Sequence, residues 1–127
     1  MIAGIGIDLV DIDRVDRLLV RFGDRAVKRL FTARERAYAT SRANPARHFA
    51  ARFAAKEAAF KALAGTEAAR AIGWREIEVL AEADGRPRLE LHGLAATRAA
   101  ELAVTRVFVT LTHSHATAAA VVILERA

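Results

Sequence analysis

The stretch Pro45-Ala-Arg-His-Phe-Ala-Ala-Arg52-Phe-Ala-Ala-Lys-Glu57-Ala-Ala-Phe-Lys61-Ala-Leu-Ala64 organises the reading of this chain. Alanine dominates it, Asn44-Pro45 opens it as a cap followed by proline at the first helical position, and Gly65 closes it. It predicts the longest helix of the molecule. Upstream, Ile2-Ala-Gly-Ile-Gly-Ile7 is short, apolar and followed by acids, so it reads as a buried strand ending at Asp8. Ile12, Val15, Leu19 and Phe22 then recur at helical spacing from Asp11 to Phe22 until Gly23, with a short helix from Asp24 to Leu30 beyond it. Thr32-Ala-Arg-Glu35 is a capping-box pattern that begins another helix.

Downstream the period changes. Trp74 to Glu82 alternates around Ile77, Val79 and Ala81 as a strand does. Asp84-Gly85-Arg86-Pro87 is a turn, and Arg88 to His92 returns as a second strand. Gly93 to Ala103 reads as a short helix, and Val107–Leu111 and Ala118–Leu124 as two further strands joined through His113-Ser-His115. This order predicts an α+β fold, a mostly antiparallel sheet packed with a long central helix. The whole of residues 1–127 is expected to form one domain.

Composition narrows the function. Of the 127 residues, 54% are hydrophobic and 28% charged, the balance of a soluble globular chain. The absence of cysteine excludes disulfides, thiolate zinc sites and cysteine nucleophiles. Apolar runs such as Ala116–Leu124 are too short to cross a bilayer, and no basic leader precedes the first apolar stretch. A cytoplasmic protein with no membrane partner is expected. The net charge is +5, which suggests an anionic partner, although arginine richness beside alanine richness is equally explained by codon bias.

Several residues carry candidate chemistry. Asp8 sits where the first strand ends. Asp11 and Asp13 are suited to capping the next helix, whereas Asp8 precedes the cap position and is open to a metal role. Glu57 and Lys61 share one helix face, about 6 Å apart along the axis. Phe53 and Phe60 lie within about 60° of Glu57 on the helical wheel. One reading is an ordinary surface ion pair. The other is a carboxylate for a divalent ion beside a lysine for phosphate charge. Arg47 and Arg52 fall on other faces of the helix and read as solvated side chains. His113, between Thr112 and Ser114, is either a hydrogen-bonded structural residue or part of a phosphate cradle. Arg14, Arg17 and Arg21 share a helix face, either salt-bridged to Asp13 and Asp24 or presented to an acidic partner. Nucleic acid is the rival partner. It is disfavoured because few aromatic residues interleave the basic ones, and it would leave Asp8 and Glu57 without a role.

Three segments together carry a resemblance: Gly4-Ile-Gly-Ile-Asp8-Leu-Val-Asp-Ile-Asp-Arg14, Arg52-Phe-Ala-Ala-Lys-Glu57-Ala-Ala-Phe-Lys61-Ala, and Thr110-Leu-Thr-His113-Ser. In order and over essentially the whole chain, they resemble the holo-acyl-carrier-protein synthases, the short bacterial type of 4′-phosphopantetheinyl transferase. The resemblance implies that family's fold and its reaction, in which coenzyme A and apo-acyl carrier protein give holo-acyl carrier protein and adenosine 3′,5′-bisphosphate for fatty acid biosynthesis. It implies magnesium held by Asp8 and Glu57, and Lys61 near the transferring or leaving phosphate, these three forming the catalytic set. The base is left open between Glu57 and a water on the ion. Arg52, Gly85-Arg86-Pro87, Thr112 and His113 are implied, with Lys61, as coenzyme ligands, and Arg47 as a weaker one. Arg14, Arg17 and Arg21 would meet an acidic helix of the carrier protein. A homotrimer with active sites between protomers is implied as well. Where the family often has tryptophan before the lysine-glutamate-alanine motif, this chain has Phe53. A carrier domain of a large synthase is the alternative acceptor, but transferases of that type are roughly twice as long.

Overall fold

The computed structural model describes residues 1–127. In chain order the elements are β1 (Ile2–Asp11), α1 (Ile12–Leu30), α2 (Ala33–Thr40), α3 (Pro45–Leu63), β2 (Ile77–Ala81), β3 (Pro87–Leu91), α4 (Gly93–Glu101), β4 (Val104–His113) and β5 (Thr117–Arg126). Every strand pair is antiparallel. The expected α+β architecture holds, with one change: the strands divide between two sheets, a three-stranded one ordered β1-β5-β4 and the β2-β3 hairpin.

Local chemistry accounts for the elements. Asp11 caps α1 by accepting the Asp13 N–H at 3.1 Å, and Asp13 sits in the first turn where the helix dipole favours an acid. Gly23 interrupts α1 with φ 65° and ψ −155°, a backbone only glycine adopts without strain. Thr32 and Glu35 form the reciprocal capping box of α2. Asn44 stands at the cap position of α3 ahead of Pro45, but its side chain makes no cap bond. The alternation from Trp74 to Glu82 overstates β2. Trp74–Glu76 is a 3₁₀ turn, because the Glu76 carboxylate turns back to accept the Gly73 N–H at 2.6 Å. In contrast, β1, β4 and β5 run further than their apolar cores. Pairing carries β1 to Asp11 and β4 to His113, past residues whose polarity reads as loop.

α3 is the hub, packed against β1 and β5 on one side and α2 on the other. Its alanines, from Ala50 to Ala62, are buried. One core region joins α3 to Ile77, Val79, Ala120, Val122 and Leu124, and a second joins it to Ile12, Val15, Leu19, Phe31 and Phe49. Each fully buried isoleucine, leucine or valine here contributes about 1.5–3 kcal/mol.

The contact with β1 is unusually close. A Cβ added at Gly6 would lie 1.9 Å from the Ala58 carbonyl oxygen, and one at Gly4 would lie 2.2 Å from that of Ala62. Only glycine lets the strand backbone meet the helix backbone at these two points. Strand alternation then sends Asp8 to the same side as Gly4 and Gly6, and Ile5, Ile7 and Leu9 to the other.

Candidate active site

The glycine contact brings Asp8 against the face of α3 that carries Glu57 and Lys61. Lys61 Nζ donates to the Ile7 carbonyl at 2.9 Å and to Asp8 Oδ1 at 3.1 Å. The Lys61 side chain is half exposed, so this ion pair is worth under about 1 kcal/mol and does little to hold the fold. Burial pushes the Glu57 carboxyl above its usual range, the Asp8 charge pushes it further, and Lys61 opposes both. Asp8, Glu57, Arg14 and Phe53 line one cleft of about 290 Å³, with Val10, Val15 and Leu18 among its apolar lining. Two neighbouring carboxylates with hard oxygens, no thiolate or imidazole among them and one lysine to offset them, fit a small hard cation such as Mg²⁺.

Phe53 and Phe60 do not stand alone beside Glu57. The Trp74 ring stacks on Phe53 at 5.1 Å between centroids and meets Phe60 edge-on at 5.0 Å. The indole therefore bridges the roughly two helical turns between them, a contact that no spacing in the sequence reveals.

Arg52 lies about 140° around the helix from Glu57 and faces a different neighbourhood. Its reading as a solvated side chain is corrected: it is only 4% exposed. Its guanidinium lies 4.1 Å from the Tyr38 ring centroid, and its Nε has no hydrogen-bond partner. Burial lowers its pKa. Arg42 lies 4.4 Å from the same ring, and His48 meets it edge-on. The His48 pKa is lowered, first by burial and then by the charges of Arg52, Arg42, His113 and Arg47. These five residues form a basic cluster. Arg52, Arg47 and His113 were legible from the sequence. Tyr38, Arg42 and His48 were not, and the only signals are the one-turn spacings of Tyr38 to Arg42 and of His48 to Arg52.

The remaining candidates stand elsewhere in the chain. His113 opposite buried Ala118 shares the helix side of the sheet, so adjacent Thr112 is on the outer side, opposite Ala119. The turn at Gly85-Arg86-Pro87 is held by Asp84, which accepts from the Arg86 N–H at 3.1 Å and its Nε at 2.8 Å. Arg86 and Pro87 border a shallow groove against Phe108 and Thr110 of β4. Asp8, Glu57 and Lys61 thus converge within one chain. Arg52 and His113 converge apart from them, and Thr112 and the turn join neither group.

Arg14, Arg17 and Arg21 are exposed along α1. Of the two readings of this face, the pairing with Asp13 and Asp24 is absent: the arginine ion pairs of the chain are made by Arg34, Arg70, Arg86, Arg88, Arg98 and Arg106. Exposed Leu18, Val20 and Phe22 accompany them, with Arg21 over the Phe22 ring. A third set of acids, Glu78 and Glu90 with His92, could by proximity hold a metal ion. Its carboxylates already accept from Thr32, Arg34 and Arg88, so the set is an ion-pair network joining α2 to the hairpin. No helix of the chain is long and apolar enough to cross a membrane.

Comparison with known proteins agrees with this geometry. Residues 4–121 match the model of the 4′-phosphopantetheinyl transferase superfamily. The chain is 49% identical to the holo-[acyl-carrier-protein] synthase of Solidesulfovibrio magneticus, over 98% of this chain and 99% of that one. The crystal structure of the Neisseria meningitidis holo-[acyl-carrier-protein] synthase is 30% identical, with a TM-score of 0.87 over 99% of this chain and 100% of the other. That of Bacillus anthracis, in complex with CoA (3′,5′-ADP), is 32% identical with a TM-score of 0.79, over 100% and 99% of the two chains. Fold, carboxylate cleft and full-length likeness point the same way: this chain belongs to the 4′-phosphopantetheinyl transferase superfamily.

Proposed function

We propose that the chain transfers 4′-phosphopantetheine from coenzyme A to a serine of apo-acyl carrier protein, releasing adenosine 3′,5′-bisphosphate. The product is holo-acyl carrier protein, made in the cytoplasm for fatty acid biosynthesis, and residues 1–127 act as one transferase unit. The observation that carries the reading is the cleft lined by Asp8 and Glu57, bordered by Arg14 of a basic helix, with Lys61 ion-paired to Asp8.

The serine oxygen forms a bond to the β-phosphorus of the coenzyme while the bond from that phosphorus to the bridging oxygen breaks. The serine proton passes to Glu57 or to water beside it, and the electron pair of the broken bond stays on the adenosine bisphosphate. Asp8 and Glu57 would hold Mg²⁺, which when bound offsets the charge of the diphosphate. Lys61, half exposed and paired with Asp8, adds a positive charge where the leaving oxygen gains a negative one. Arg52 and His113, with Arg47 beside them, hold the nucleotide part of the coenzyme, and Gly85-Arg86-Pro87 and Thr112 complete that site. Arg14, Arg17 and Arg21 meet the acidic carrier protein, and the pairing speeds association in a salt-sensitive way.

These coenzyme ligands do not converge on the carboxylates within one chain, and a homotrimer supplies the missing half of each site from a neighbour. The sheet face turned away from α3 supports this. Ile5, Ile7 and Leu9 are 61%, 64% and 70% exposed, in register with Ile123, Val121 and Ala119, and Phe108 extends the patch. Apolar faces of this kind mark protein contacts, and Thr112 lies on the same face.

The test is the intact mass of a purified apo-acyl carrier protein incubated with this protein, coenzyme A and Mg²⁺. A gain of one phosphopantetheine that vanishes with EDTA is expected, and no gain on a proven apo-carrier overturns the reading. Light scattering that returned the mass of a single chain would overturn the trimer.

A further inference from the structure

α4 reaches back to the end of α3 through Arg98. The Arg98 Nε donates to the Leu63 carbonyl at 2.7 Å, and Nη2 donates to the Ala64 carbonyl at 3.1 Å. Its Nη1 pairs with Glu101 at 3.2 Å, and the side chain is only 12% exposed. The last carbonyls of a helix have no partners within it, and a cation placed there also meets the negative end of the helix dipole. α3 closes weakly by itself, since the Ala64 N–H reaches the Lys61 carbonyl only at 3.4 Å. Gly65 then turns the chain away at φ 121°. A Cβ added there would lie 3.2 Å from Arg98 Nη2, so the guanidinium packs on the turn as well as on the helix end.

The segment held in this way is the wall of a cleft. Phe60, Ala64, Gly65 and Thr66 line a space of about 570 Å³, separate from the cleft lined by Asp8 and Glu57. Glu57, Phe60, Lys61 and Ala64 fall within about 100° on one face of α3, so this space continues that face past Lys61 toward the helix C-terminus. Glu67 and Arg70, also in its lining, pair at 3.9 Å and offset one another. A lining with no net charge and both apolar and polar groups suits a neutral chain of amides and methyl groups better than a phosphate. We infer that Arg98 is a positioning residue, which fixes the Ala64–Thr66 wall of this cleft for the pantetheine arm of the coenzyme. The inference rests on the proposed placement of the diphosphate beside Lys61.

The test offers the full chain the two halves of coenzyme A as inhibitors of transfer to apo-acyl carrier protein. 4′-Phosphopantetheine carries the arm, and adenosine 3′,5′-bisphosphate lacks it. Arg98→Met is expected to raise KM for coenzyme A and Ki for phosphopantetheine by about tenfold, with Ki for the bisphosphate and KM for the carrier protein within about twofold, because a small misplacement of a binding wall is costly. Arg98→Lys keeps the charge and should recover part of the loss. A residue that only stabilised the fold would lower the active fraction, and with it kcat, without separating the two halves. Equal rises in Ki for both halves, no rise at all, or a loss confined to kcat would therefore overturn the inference. Should Arg98→Met fail to fold, Arg98→Lys is expected to show a smaller rise in the same two constants, and an unchanged pair of constants would overturn the inference as well. Wild-type protein that transfers nothing from coenzyme A would instead sink the proposed function.

Discussion

Lys56 and Arg52 stand one turn apart on α3, and both are cations buried in the fold, yet their surroundings are opposite. Lys56 Nζ donates to the Trp74 carbonyl at 2.8 Å and the Ile77 carbonyl at 2.6 Å, and pairs with Glu35 Oε1 at 2.8 Å. Glu35 is equally spoken for, accepting the Thr32 N–H on one oxygen and the Val79 N–H on the other. Every donor of that lysine is used, so the region can take no ligand and its role is to lock α3 to α2 and β2. Burial still lowers the Lys56 pKa, and Glu35 opposes the shift. Arg52, by contrast, has an unused donor and a tyrosine face where a carboxylate would be expected. Buried charge alone does not mark a functional residue. Buried charge with unmet bonding capacity does, because a folded chain gains nothing from leaving it so.

This contrast predicts opposite signatures for the two kinds of residue. The largest effect belongs to the open cleft. Glu57→Ala should reduce transfer by about 10³-fold or more, since it removes charge placed for the transition state. The folded state holds the Glu57 carboxyl above its ordinary value, so its ionised form disfavours folding. Thermal melting of the variant at neutral pH should give an equal or higher Tm, and a lower one would make Glu57 structural. Lys56→Met should do the reverse, costing about 3–5 kcal/mol in urea unfolding by leaving Glu35 charged and alone. Combining it with Glu35→Leu should recover part of the loss, and absence of recovery would show that the pair is not the lock.

The ion-pair network between α2 and the hairpin gives a pH test. Burial pushes the Glu78 carboxyl up, but hydrogen bonds from Arg34, Thr32 and His92 outweigh it and bring the pKa from 4.5 to about 2. Its contribution is therefore fully present above pH 4.5 and lost as pH falls toward 2. Glu78→Gln should cost about 2 kcal/mol at neutral pH and flatten the stability curve across that acid range. A variant curve parallel to the wild type would rule the network out. The smallest stability effect is expected for Arg52→Gln, under about 1 kcal/mol, because the replaced charge has no ion pair to lose. Its KM for coenzyme A should nonetheless rise by about tenfold or more, as for lost phosphate contacts. A large stability loss with unchanged KM would place Arg52 with Lys56 as a structural cation.

Much of this was legible along the chain, since local interactions have local signatures. The alanine-rich run bounded by Pro45 and Gly65 is α3, the Thr32–Glu35 spacing is a real capping box, and Glu57 with Lys61 shares one face. Where the reading failed, a contact distant in sequence had intervened. The 3₁₀ turn at Trp74 follows from the Glu76 carboxylate folding back on Gly73, which strand periodicity cannot register. Arg52 carries the same spacing as any surface arginine, and only the folded chain, with Tyr38 of α2 against it, shows it to be buried.

The sequence by itself determined the elements, their order, the family resemblance and the chemistry of the helix face, because periods, caps and turns depend on residues within a few positions of each other. Tertiary structure alone decided which side chains meet. Glycine at positions 4 and 6 is visible in the sequence, but that it lets β1 touch α3 and deliver Asp8 to Glu57 and Lys61 depends on alanine carbonyls more than fifty residues away. The same holds for the contrast between Lys56 and Arg52. Two cations a turn apart are alike in the sequence, and what separates them is whether the rest of the chain brings a carboxylate to meet each one.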